Sequence, residues 1–365
     1  MPPLLVVLDF DGTITQEDSL DALTRFAAHY NAAKEPAVVS ESSLLDDWNI
    51  SVIEPYLRDL AKFENEYTPT KQDRTTWEEE KTYLESLRTV EESSVERVEA
   101  SPIFKGFGDD DYRRFGREAA AITADEGAEK SGQPTPTVRL RPGFNDFLLW
   151  WAAASQRSQQ QQQRKLLGLV SVNWSRHFIE GVLGVADSEH VQRSHHTRRR
   201  DRTKAAAANK MNIDEIGQSA AEKDNATPPP VISKLVVDRV VELTLVANHI
   251  TPEPRINGPP GWQKPLTTAD DKQKAFEQLR GSLKHSSGLV VYMGDSKTDL
   301  LCLRDADLGL ILADGPDQSS LFATLRRLGY QVPHVHQDIR PVTKYAWARD
   351  FTEILESKIL SKLCG

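Results

Sequence analysis

Leu4-Leu5-Val6-Val7-Leu8-Asp9-Phe10-Asp11-Gly12-Thr13-Ile14-Thr15 decides the fold. Its five consecutive apolar residues read as a strand buried on both faces, the pattern of a parallel sheet covered by helices. The strand runs into two aspartates separated by one residue, and then a glycine that ends regular pairing. Open α/β sheets bind ligands at the carboxyl ends of their strands, which is where both carboxylates are expected. Two neighbouring carboxylates repel each other unless a cation lies between them, so the pair points to a hard ion such as Mg²⁺.

Three later segments repeat the pattern. Leu166-Leu167-Gly168-Leu169-Val170-Ser171 is an apolar run ending on a hydroxyl. Val172, Asn173 and Trp174 follow, and Ser175 stands as N-cap of a short helix from Arg176. A hydroxyl beside free backbone N–H groups at a strand-to-helix turn makes a seat for phosphate. Asp270-Asp271-Lys272-Gln273-Lys274-Ala275-Phe276 opens a helix whose apolar stripe is Ala275, Phe276 and Leu279. Gly288-Leu289-Val290-Val291-Tyr292-Met293-Gly294-Asp295 is a further buried strand ending in acid, with Asp299 four residues beyond Asp295.

The order Asp9-Phe10-Asp11-Gly12-Thr13, then Ser171, then a lysine, then Gly294-Asp295 with Asp299, resembles the haloacid dehalogenase superfamily. The likeness is to its phosphoserine-phosphatase-like branch. Leu140-Arg141-Pro142-Gly143, and Val246-Ala247-Asn248 with Gly258 downstream, support it. The resemblance implies an α/β fold: a doubly wound parallel sheet formed by residues 1–15 and 138–365, with a helical cap at 16–137. It implies a Mg²⁺-dependent phosphoric monoester hydrolase acting on a small phosphorylated metabolite. By resemblance Asp9 is the nucleophile, and Asp11 protonates the leaving oxygen and then activates water. Ser171 and a lysine hold the phosphate, together with Gly12, Thr13, Val172 and Asn173. The metal site is implied to draw on Asp9, Asp11 (through its backbone carbonyl), Asp295 and Asp299, the last also a candidate to orient the lysine. Lys272, 23 residues before Asp295, matches the family's placement; Lys274 reads as a surface charge. Asp18, nine residues after Asp9, reads either as an N-cap or as a substrate contact. Val172 departs from the pattern, since close relatives often carry glycine there. A phosphomutase would share the motifs, and a non-catalytic scaffold could retain the fold.

Composition is consistent with that expectation. The chain has 365 residues, enough for a large core and a second module. A net charge of −9 argues against nucleic acid as a general partner. Two cysteines, Cys302 and Cys364, suit a reducing compartment, and no apolar run reaches the roughly 20 residues that span a bilayer. No signal-peptide pattern is present, so a cytoplasmic or additionally nuclear location is expected.

Between Thr15 and Thr137 the apolar spacing predicts helices over Leu20–His29, Ser51–Phe63 and Thr75–Val98. Residues 155–164, with five consecutive glutamines, read as a disordered bulge, and 187–233 as a long unordered insertion. Its basic stretch, residues 193–204, reads as a solvated surface or as a patch for an anionic partner or import factor. Beyond Asp299, Leu308–Leu312 is expected as a strand, Leu321–Leu328 as a helix, Val332–Val335 as a short edge strand and Tyr345–Leu360 as a helix.

Overall fold

The computed structural model describes residues 3–34, 36–121, 138–160, 165–184, 233–237, 241–281, 288–337 and 343–363. A seven-stranded sheet runs through the middle of the chain's fold. Its strands are β1 (Leu4–Leu8), β2 (Lys165–Val170), β3 (Ser233–Val237), β4 (Val241–Val246), β7 (Leu289–Gly294), β8 (Leu308–Leu312) and β9 (Tyr345–Ala348). They are arranged β3-β4-β2-β1-β7-β8-β9. The two intervening strands, β5 (His249–Ile250) and β6 (Ile256–Asn257), form a separate antiparallel pair. All pairings in the large sheet are parallel except β3 with β4 at one edge. This is the doubly wound α/β architecture expected from the alternation of apolar runs and helical segments.

Strand β1 is central, and its side chains show why. Leu4, Val6 and Leu8 enter one apolar layer with Phe147, Trp151 and Phe178. Leu5 and Val7 enter the other, with Phe276, Leu279 and Leu301. A strand alternates its side chains between faces, so a strand covered by helices on both sides must be apolar throughout. Each such side chain contributes about 1.5–3 kcal/mol by leaving water.

The chain leaves β1 to build β2 and β4 on one side, then returns to build β7, β8 and β9 on the other. The crevice this reversal opens lies at the carboxyl ends of β1 and its neighbours. Leu8 is in register with Leu169 of β2 and with Met293 of β7. The residues that follow these three, Asp9, Ser171 and Asp295, therefore emerge along one edge of the sheet.

Between β1 and Val138 the chain forms six α-helices within the described residues: Leu20–Lys34, Glu41–Trp48, Glu54–Glu66, Trp77–Ser86, Arg88–Ala100 and Asp109–Ala121. A π-helical turn, Asn49–Ile53, joins the second to the third. The strand-like ends of this segment are pinned together. Thr15 bridges Leu140, the Gln16 amide donates to the Arg139 carbonyl at 2.8 Å, and the Arg141 amide donates to Ile14 at 2.8 Å. Helix Asp109–Ala121 then crosses helix Arg176–Val182 at Gly116 and Gly181. A Cβ at either glycine would strike the other helix's backbone, at Phe178 or at Arg113, so the helices touch main chain to main chain.

Several expected boundaries differ. The Thr75–Val98 helix is two helices, separated at Leu87, whose ψ of −13° departs from the helical value. The helix Phe144–Gln160 continues through the first six residues of the expected 155–164 bulge, because glutamine is a good helix former; residues 161–164 lie outside the described residues. Tyr345–Leu360 is not one helix. Tyr345–Ala348 pairs with β8 as the edge strand, Asp350 caps a helix Phe351–Ser357, and Lys358 at φ 57° ends it before Ile359–Leu363. Burial of Tyr345, Ala346 and Ala348 beside β8 outweighs the helical spacing. The expected strand Val332–Val335 contributes only one bridge, His334 to Trp347. Residues 187–232, including the basic stretch 193–204, lie outside the described residues, and Ser233, the last of the expected insertion, begins β3. Among the described residues no helix is long and apolar enough to cross a membrane.

Candidate active site

Asp9 leaves β1 with its backbone amide still donating to Met293 of β7 at 2.9 Å. Its Oδ1 accepts the Phe10 amide at 2.7 Å, and its Oδ2 lies 2.8 Å from Lys272 Nζ. The turn closes on Gly12, whose φ of 70° belongs to the left-handed region and whose missing Cβ leaves room for the Asp295 carboxylate. Thr13 donates its hydroxyl to Asp295 Oδ1 at 2.8 Å, joining the turn after β1 to the end of β7. Arg141 holds the turn from outside: Nε and Nη2 donate to the Gly12 carbonyl at 3.0 and 2.7 Å.

Asp11 turns away from Asp9. Its Oδ1 accepts from the Ser19 amide at 2.9 Å and the Ser19 hydroxyl at 2.5 Å, and its Oδ2 accepts from Asn173 Nδ2 at 2.9 Å. Asn173 sits on the loop after β2, where its own amide donates to Ser171 Oγ at 3.0 Å. The Ser171 hydroxyl thus accepts from its own loop and keeps its proton to donate. Asn248, after β4, fixes that loop by donating to the carbonyls of Val172, Asn173 and Leu266.

Lys272 is completely buried near the start of helix Ala269–Gly281. Besides Asp9, it meets Asp299 Oδ1 at 2.6 Å and Thr298 Oγ1 at 3.3 Å. Asp299 is fully engaged. Oδ1 also accepts the Tyr292 hydroxyl at 2.7 Å, and Oδ2 accepts the Asp295 amide, the Ser296 amide and the Ser296 hydroxyl at 3.0–3.1 Å.

Lys274 instead pairs with Asp270 at 2.7 Å on the exposed face of that helix. Asp18 Oδ1 accepts the Leu20 amide at 2.7 Å, a helix-capping contact, and Asp18 also lines the cavity described below.

Carboxylate oxygens of Asp9, Asp295 and Asp299 come within 4.8 Å of one another. Burial, and then repulsion from Asp299, raise Asp9 well above the carboxylate range although Lys272 acts against both. Burial and Asp299 likewise push Asp295 up to about 7. Burial raises Asp11 as well, against its hydrogen bonds from Ser19 and Asn173. Lys272 is driven the other way from its burial, upward, by Asp299 and Asp9. The cluster is therefore short of positive charge. Asp295 Oδ2 accepts no hydrogen bond among the described residues, and the donors are all hard oxygens. These residues fit a small divalent cation such as Mg²⁺.

A cavity of about 550 Å³ opens over this edge, floored by Asp9, Asp11, Gly12, Asn173 and Asp295 and roofed by the helical segment. Val172 and Asp18 also line it; Thr13, Ser171, Lys272 and Asp299 are fully buried and are not among its lining residues.

Residues not singled out from sequence complete the arrangement. Ser19 bonds Asp11, and Tyr292 bonds Asp299. Tyr292 carried a signal, a phenol inside an otherwise apolar buried strand, which needs a partner for its hydroxyl. Ser19 carried none, since its partner lies eight residues away across a turn.

No family model matches the chain, and no curated protein matches it. Among solved structures, one described as a phospho-aspartyl intermediate analogue of phosphoserine phosphatase is similar at 10% identity and a TM-score of 0.39. The match covers 98% of this chain and 99% of that one.

Proposed function

We propose that the protein is a phosphatase that hydrolyses a small phosphorylated metabolite through an aspartyl-phosphate on Asp9. The observation that supports this best is the convergence of Asp9, Lys272 and Asp295, from three separated segments, on one charge-deficient edge of a parallel sheet. Asp9 is held between the Phe10 amide and Lys272, facing the cavity. Its carboxylate oxygen forms a bond to phosphorus as the phosphorus–oxygen bond to the alcohol breaks, and protonated Asp11 gives its proton to the departing oxygen. Water then attacks phosphorus, Asp11 takes its proton, and inorganic phosphate leaves with Asp9 restored. The raised state of Asp11 suits a group that begins this cycle protonated.

Lys272 and the Ser171 hydroxyl hold the phosphoryl oxygens, aided by backbone groups of Gly12, Thr13, Val172 and Asn173. Asp299, whose oxygens are occupied by protein donors, orients Lys272. Asp9 and Asp295 would hold Mg²⁺ with the Asp11 carbonyl, and the ion would neutralise charge on the phosphoryl group in transit. The helical segment acts as a cap that excludes water and limits substrates to small molecules. A phosphate-release screen over phosphorylated metabolites, with Asp9→Asn as the blank, tests this. Release that persists unchanged in the variant would refute the nucleophile.

A further inference from the structure

The phosphatase reading leaves open what the leaving alcohol carries, and the cavity wall bears on it. Six carboxylate side chains line the cavity: Asp9, Asp11, Asp18, Asp21, Glu91 and Asp295. Among the described residues no lysine, arginine or histidine lines it. Asp9, Asp11 and Asp295 belong to the chemistry, Asp18 caps a helix, and Asp21 pairs with Arg25 at 2.9 Å. Glu91 is different. It projects from helix Arg88–Ala100 of the roof, and its single hydrogen bond among the described residues is from the Tyr56 hydroxyl, at 3.2 Å to Oε1. Burial pushes it up to about 7 despite that bond. It is thus a half-buried carboxylate lining the cavity, with no cation paired to it among the described residues.

Aromatic rings form another part of the wall. Trp48 from the roof and Trp174 from the loop after β2 meet edge to face, 5.9 Å apart at 69°, and make a corner that both line. Tryptophan rings and a carboxylate without a cation partner, lining one cavity, are what an ammonium group seeks: rings attract cations through their quadrupole, and the carboxylate offers the counter-charge. A second anionic group on the substrate would find no partner here and would meet Glu91 repelled.

From the phosphatase reading and this wall, we infer that the substrate is a phosphomonoester whose alcohol carries an ammonium group and no further anion. The ammonium docks against Trp48, Trp174 and Glu91. The other polar wall groups, such as Ser94 and Thr24, would serve a hydroxyl equally well, but they do not answer the surplus of negative charge.

The test uses the whole chain with Mg²⁺ and a series of alkyl phosphates of graded length. Each ends in trimethylammonium, in its neutral tert-butyl isostere or in carboxylate. p-Nitrophenyl phosphate serves as reference ester and Asp9→Asn as blank. At the best chain length, kcat/KM for the ammonium ester should exceed that for the tert-butyl ester about tenfold or more, with the carboxylate ester poorest. Glu91→Gln should shrink the ammonium-over-neutral ratio about fivefold or more, through KM rather than kcat, and Tyr56→Phe should shrink it less. A preference for the neutral or carboxylate ester overturns the inference, and so does an unchanged ratio in a folded Glu91→Gln variant. If that variant does not fold, the wild-type ranking alone decides. Absence of any Asp9-dependent hydrolysis, including of p-nitrophenyl phosphate, would instead remove the phosphatase reading and this inference with it. Asp9-dependent cleavage of the reference ester with the wrong ranking would remove the inference alone.

Discussion

Two buried acidic regions of this molecule are built in opposite ways. At the carboxyl ends of β1 and β7, Asp9, Asp295 and Asp299 share one lysine, and burial and mutual repulsion raise Asp9 and Asp295. Where helix Asp109–Ala121 crosses helix Arg176–Val182, the buried acid Glu180 is met by Arg113 at 2.8 Å, Arg176 at 3.1 Å and His177 at 2.9 Å, while the exposed acids Asp110 and Asp109 pair with Arg113 and His177 from outside. Burial acts to raise Glu180, yet the His177 contact and the two arginines bring it down to about 2. Carboxylates buried with surplus cations hold a contact in place. Carboxylates buried with too few leave a charge for something else to supply. The first kind of cluster joins helix Asp109–Ala121 to helix Arg176–Val182, and the second fits a cation.

The contrast can be broken by substitution. The largest effect expected is on turnover: Asp9→Asn should lower phosphate release by three or more orders of magnitude, ~4 kcal/mol or more in the barrier. Near-wild-type rates in that variant would place the chemistry elsewhere. Lys272→Met removes the one cation between Asp9 and Asp299. Its unfolding free energy, from denaturant titration, should fall by about 3–5 kcal/mol. A loss below about 1 kcal/mol would show that the lysine is not compensating the acids.

Glu180→Gln should cost roughly 3 kcal/mol near neutral pH. Because its folded value lies near 2, below the ordinary 4.5, that stability is present above about 4.5 and disappears as pH falls toward 2. The melting difference between wild type and Glu180→Gln should therefore close with acidification; a gap independent of pH would mean the carboxylate's charge is irrelevant. Asp295→Asn should behave in the reverse sense, with a smaller effect. Without divalent ions it should be at least as stable as wild type, since it relieves repulsion. Mg²⁺ at ten times Kd should stabilise wild type by about 1.4 kcal/mol and leave the variant unmoved. Equal stabilisation of both would mean that Asp295 is not a ligand.

Much of the first region was legible in the residues. Apolar runs that end on acid or hydroxyl revealed β1, β2 and β7 and placed their last residues on one edge, because buried parallel strands admit few other patterns. Lys272 could be separated from Lys274 by the apolar stripe of its helix, and the two do fall on opposite environments, one fully buried and one exposed. The second region was not legible. Arg113 lies 67 residues before Glu180, and the close crossing of their helices at Gly116 and Gly181 brings it to Glu180 and His177. The cavity roof was hidden for the same reason: Trp48 meets Trp174 and Tyr56 meets Glu91 through packing between separate elements, which local spacing does not encode. The misplaced Tyr345–Leu360 helix shows a further limit, where the pairing of Tyr345–Ala348 with β8 outweighs a local helical pattern.

One experiment reaches the centre of this account. The protein is mixed with Mg²⁺ and a turned-over phosphomonoester, quenched in acid within the first turnover and digested for mass spectrometry. A single phosphoryl group on the peptide that contains Asp9, absent from the Asp9→Asn variant, is the result expected. A phosphoryl group on another residue, or hydrolysis that proceeds with none on the protein, would contradict it.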